Sequence, residues 1–151
     1  MKQRLFLFNG VAAVLLLSSC TRAPESKSRF LSAFSAAEVI RKGYDQLEPN
    51  AGISVSSAET SSAFGSRRIY HRDDSTDLRI REGDQSSLLE RIKNSIEQQV
   101  RSSGCTIVGG GSGNGNFSIA YTDGSVTGWI DIWGTPGSPD SYKLIIMITE
   151  S

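Results

Sequence analysis

The chain has 151 residues, of which 38% are apolar, with 16 basic and 16 acidic side chains. That suffices for one domain of ordinary size and excludes a large multidomain machine. Zero formal net charge excludes a polybasic nucleic-acid binder. The average hides a division, because residues 1–19 hold 12 apolar residues and no acid.

The first element is cationic at Lys2 and Arg4 and then apolar from Leu5 to Leu17. Thirteen residues of helix span about 20 Å, short of the roughly 30 Å bilayer core, so the segment reads as a secretory h-region and not as a membrane span. It ends in Leu17-Ser18-Ser19-Cys20, which resembles the lipobox of bacterial lipoproteins: aliphatic, small, small, cysteine. The resemblance implies cleavage between Ser19 and Cys20, a diacylglyceryl thioether on the Cys20 thiol, and in many such proteins a third acyl chain on the new amino group. Several chains, at about 0.8 kcal/mol per buried methylene, hold a protein on a membrane where one chain is marginal. It also implies an exported domain facing the periplasm or exterior. Thr21, where an aspartate resembles an inner-membrane retention signal, points to the outer membrane of a two-membrane bacterium.

The expected organisation is a cleaved signal peptide over 1–19, a lipidated tether over 20–34, and one small domain over 35–151. The mature part carries 45 apolar, 14 basic and 16 acidic residues, so its core is lean. Ser35 with Glu38 forms a capping box, and Phe34 can staple onto Val39 at the start of a first helix that ends before Pro49. Ile53 and Val55 alternate with serines as a weak edge strand, and residues 67–72 and 78–81 read as two short strands joined by Asp73-Asp74-Ser75-Thr76. Leu88, Leu89, Ile92, Ile96 and Val100 then form one stripe at helical spacing, capped by Asp84 or Ser87 and stopped at Gly104.

Beyond Gly104 the period changes to two. Thr106–Val108, Phe117–Thr122, Ser125–Trp133 and Tyr142–Thr149 read as strands, with a glycine-rich hairpin loop over 109–116 and a two-residue Asp123-Gly124 turn. The fold class is α+β: a two-layer arrangement with an antiparallel meander of about four strands, two helices on one face, and a short additional hairpin. The turn places Phe117, Ile119, Tyr121, Val126, Ile130 and Ile132 on the helix side, and Ser118, Trp129, Asp131 and Trp133 on the other. Ile145 and Met147 extend the tryptophan patch if the last strand joins the meander.

The first expectation for that second face is cover by the N-terminal helix or the Gly52–Ser66 segment. The sharper alternative is an aromatic platform on which Trp129, Asp131 and Trp133 meet a partner protein, a glycan or an envelope polymer. Other chemistry is thinly supported. The Gly109–Gly115 run feeds a strand and not a helix, against a phosphate loop. His71 is the sole histidine, against a multi-histidine metal site. Asp73, Ser75 and Asp77 begin like a calcium loop but lack its glycine and its closing glutamate. Arg67, Arg68, Arg72, Arg79 and Arg81 lie among acids and read as an ordinary charged face, with contact to anionic headgroups as the alternative. Cys105 reads as a core thiol, with no histidine nearby in sequence to make it a nucleophile. No cofactor is implied. The expectation is a lipid-anchored envelope module that binds or supports a partner, with a structural subunit, or a small hydrolase using His71 or Asp131, as alternatives.

Overall fold

A computed structural model describes residues 27–65, 67–137 and 140–151, so the h-region and Cys20 lie outside the described residues. Its elements are α1 (Arg29–Ala33), α2 (Ala36–Tyr44), β1 (Ser56–Phe64), β2 (Arg67–Arg79), a 3-10 turn (Glu82–Asp84), α3 (Gln85–Ser102), β3 (Thr106–Gly113), β4 (Asn116–Thr122), β5 (Thr127–Pro136) and β6 (Ser141–Glu150). The six strands form one antiparallel sheet in the order β1-β2-β6-β5-β4-β3. The protein is therefore mixed α+β. The four-strand meander is present as β3–β6, but the expected separate hairpin over 67–81 is not, because both its strands are one, β2, which pairs with β1 on one side and along β6 from Tyr70↔Glu150 to Arg79↔Ser141 on the other.

The helices take the places their sequences dictate. Ser35 caps α2, its side chain accepting from the Glu38 amide at 3.4 Å. In α3 the stripe Leu88, Leu89, Ile92, Ile96 and Val100 is buried throughout. Each such side chain brings about 1.5–3 kcal/mol of transfer free energy. The Glu97–Arg101 pair at 3.9 Å adds only about 0.3 kcal/mol. The start of α3 differs from expectation. The 3-10 turn leads straight into Gln85, so Ser87 lies inside the helix and neither it nor Asp84 forms a side-chain cap. α3 carries the chain from β2 to the far edge strand β3, packing on β3, β4 and β5 as it crosses, while α2 packs on α3. Gly104 closes it in the left-handed region, φ +84°.

Three other expectations are corrected. Residues 73–76 are not a loop but the middle of β2, because the two polar side chains that point inward there each find a partner. Buried Asp74 receives Arg72 Nε at 2.8 Å, and Thr76 Oγ1 donates to the Ser54 carbonyl at 2.7 Å. The glycine run is not a loop either, since residues 109–113 pair with β4 after a bulge between Ile107 and Gly109. The domain also begins earlier than residue 35. Ser28 caps α1 by accepting from the Leu31 amide, and Phe30, Leu31 and Phe34 are buried in the core. Residues 28–34 thus belong to the folded body and not to the tether.

A buried carboxylate fixes that segment. Glu150 Oε2 accepts the Ser28 amide at 3.0 Å, and its Oε1 accepts the hydroxyls of Ser28 and Tyr121. Tyr121 reaches Glu150 by lying across β5 at Gly128, where an added Cβ would overlap its ring. Tyr142 crosses Gly134 in the same way. Burial, followed by the neighbouring Glu150 carboxylate, pushes the Tyr121 phenol far above its ordinary pKa.

Candidate functional site

The described helices bear on one face of the sheet, α3 directly, α2 through α3 and α1 through Phe30 against Tyr121, so the composition of the other face decides what the protein can touch. The β4–β5 register pairs Ala120 with Trp129, Ser118 with Asp131 and Asn116 with Trp133. The turn before it is four residues long, not two, and Val126 belongs to it and not to the inner face. Asp123 Oδ1 accepts from the Ser125 amide at 2.9 Å and the Val126 amide at 2.8 Å, and the Thr122 hydroxyl donates to the Val126 carbonyl at 2.8 Å. Those amide bonds, that from Val126 first, hold the Asp123 carboxyl below its ordinary pKa. The pairing shifts by two residues, and an even shift preserves every facing. Trp129, Asp131 and Trp133 stand on the outer face, as expected.

That face is not covered by the elements proposed to cover it. The N-terminal helix, α2, packs on α3 on the opposite face, and β1 is an edge strand of the same sheet. Trp129 is 46% and Trp133 44% exposed. Asp131 Oδ1 holds the first ring in place, accepting from Trp129 Nε1 at 2.9 Å and from Ser118 Oγ at 2.5 Å. The next strand brings Ile145 opposite Trp133, Met147 opposite Asp131 and Thr149 opposite Trp129. Ile145 and Met147 are half-buried, so the patch spans two strands with one fixed acid among apolar groups.

One further strand over, β2 places His71 opposite Thr149, Asp73 opposite Met147 and Ser75 opposite Ile145. His71 Nδ1 lies 3.0 Å from Thr149 Oγ1, and His71 Nε2 lies 3.0 Å from Asp73 Oδ1. Reading 73–76 as a loop conceals this row. Its signal was the alternation of His71, Asp73, Ser75 and Asp77 at strand period. A hydroxyl, an imidazole and a carboxylate in line form a proton relay, but acyl transfer also needs donors aimed at the developing oxyanion. The backbone amides beneath this row belong to the β2–β6 and β5–β6 ladders, which makes the site poor for that chemistry. The same straight strand keeps Asp73, Ser75 and Asp77 from wrapping a calcium ion, and no group of three metal-ligating side chains occurs among the described residues.

Cys105 is buried and unbridged in the core. No helix among the described residues is long and apolar enough to cross a membrane. Compared with known protein families, with curated proteins and with solved structures, the chain has no match.

Proposed function

We propose that this chain is a lipid-anchored envelope protein that binds or supports an envelope partner through the outer face of its sheet. Cys20 carries the anchor, and Trp129, Asp131 and Trp133 form the centre of the binding face. The observation that carries the reading is a pair of half-exposed tryptophans, one of them pinned by a carboxylate, on a face that no described helix covers. Large rigid side chains of this kind supply contact area at small cost in conformational entropy, and a fixed acid among them orients a polar ligand. Ile145 and Met147 enlarge the apolar area toward what a docked protein or a glycan chain would cover.

Two measurements on the full chain test the two halves. Cys20→Ser abolishes the acylated mass and either releases the protein or strands it as an uncleaved precursor; a wild type that carries no acyl group and a variant that fractionates as it does overturn the anchor. A photo-crosslinking residue at Thr135, exposed beside Trp133 on the same face of β5, yields adducts in cells, whereas the same residue at Glu82, outside the patch, does not. Equal yields at both positions, or none at 135, overturn the binding face.

A further inference from the structure

The β1–β2 hairpin runs past the rest of the sheet. The last rung between β2 and β6 is Tyr70↔Glu150, but β1 and β2 continue through Ser62↔Ile69, Ala63↔Arg68 and Phe64↔Arg67. Three residues carry its tip about 10 Å further. Phe64 is 77% exposed, the most exposed large apolar side chain among the described residues, and Arg67 and Arg68 are exposed beside it. Residues 60–72 contain three arginines and no acid.

The chain enters the domain at the base of this same hairpin. Lys27 Nζ lies 2.5 Å from Glu59 Oε2 on β1 and 5.9 Å from the centre of the Tyr70 ring on β2. The ion pair with Lys27 holds Glu59 below the ordinary carboxylate pKa. Charge is divided along the strand direction in the same sense. The end with the hairpin tip, Lys27 and Arg29 sets those cations against Glu59 and the turn acid Asp123. The far end gathers Glu48, Asp77, Glu82, Asp84 and Asp140 against Arg79, Arg81 and Lys143. Seven peptide steps separate Cys20 from Lys27, which limits their separation to about 25 Å.

We infer that the hairpin tip, Phe64 with Arg67 and Arg68, docks on the anionic phospholipid headgroups of the membrane that holds the anchor. The inference rests on the acylation of Cys20. The short tether leaves from the basic end, so that end faces the bilayer and the acidic end faces away. The tip bridges part of the tether's reach. Its arginines meet lipid phosphates, and the Phe64 ring enters the interface between them. The outer face, with Trp129 and Trp133, then stands roughly upright on the membrane and open to a partner from the side.

The test uses the full acylated chain in vesicles of phosphatidylcholine, with or without phosphatidylglycerol. Fluorophores are placed on Ser62→Cys beside the tip or on Glu82→Cys at the far end, and headgroup-attached nitroxides serve as quenchers. The expected result is strong quenching at 62, little at 82, and dependence on phosphatidylglycerol. Arg67→Glu weakens the tip's partition to the surface by about fivefold for the arginine lost, and more on reversal. Equal quenching at the two positions in a protein whose Cys20 carries its acyl mass overturns the docking and leaves the anchor standing. Absence of the acyl mass overturns both. Protection of the label that appears without vesicles and grows with protein concentration assigns the tip to a second copy of the chain, and likewise overturns the proposal.

Discussion

The two faces of the sheet are built from alternate residues of the same strands, yet they obey different rules. On β5 and β6 the inward residues Ile130, Ile132, Leu144, Ile146 and Ile148 are wholly buried, and even the polar exception, Glu150, has its partners. Their outward neighbours include both tryptophans, about half in water, and Asp131, whose Oδ1 holds one of them. Inside, side chains are fixed by what surrounds them. Outside, they are fixed by one another. Mutations should therefore separate stability from recognition along a single strand.

The largest expected loss comes from the inner face at its tightest point. Gly128→Ala drives a methyl group into the Tyr121 ring and displaces its hydroxyl from Glu150. The cost is about 3 kcal/mol or more, read as a lower urea midpoint. Glu150→Ala comes next, at about 2–4 kcal/mol, because it strands the Ser28 and Tyr121 donors in the core. Amide exchange should accelerate first in α1, and uniform acceleration would show that α1 is not separately held.

Alkaline pH probes the same face more gently. Burial raises the phenols of Tyr121, Tyr142 and Tyr44, with Glu150 adding to the effect on Tyr121. A phenol raised in the folded state keeps its proton more firmly there than in the unfolded chain. Its contribution is whole below the unfolded value of about 10 and is lost as pH rises beyond it. Denaturation midpoints should fall above about pH 10, and Tyr121→Phe should make that fall shallower. The smallest effect belongs to the outer face. Trp133→Ala should change stability by no more than about 1 kcal/mol while abolishing partner crosslinks from position 135. A loss above about 3 kcal/mol would place the ring in the core and end the contrast between the faces.

The contrast also marks what the sequence discloses. The α3 stripe was legible because five apolar residues repeat at helical spacing and need no other information. The facing of Trp129 and Trp133 was legible despite a misjudged turn, because the true pairing differs by an even number of residues. β2 was not legible as one strand. Two adjacent aspartates look like a turn until Arg72 is seen to neutralise the buried one, with Phe34 stacked on the same guanidinium at 5.3 Å. The outer His71–Asp73–Thr149 row was lost with it, since a row across strands exists only once the register is known. Whether the tryptophans are covered depends on which side of the sheet α2 packs, and the segment leading into it is held by Glu150, 122 residues away from Ser28.

That last contact also imposes an order of assembly. Ser28 and Glu150 close almost the whole described domain into one loop, and closing a loop of that size is entropically unfavourable until the elements between have formed. A chain that emerges from its N-terminal side, from a ribosome or across a membrane, carries Ser28 without its acceptor until residue 150 has also emerged. The helices and the hairpins can gather earlier, but α1 seats last, next to the point where the chain enters the domain. The finished fold is therefore sealed at the base of its own tether.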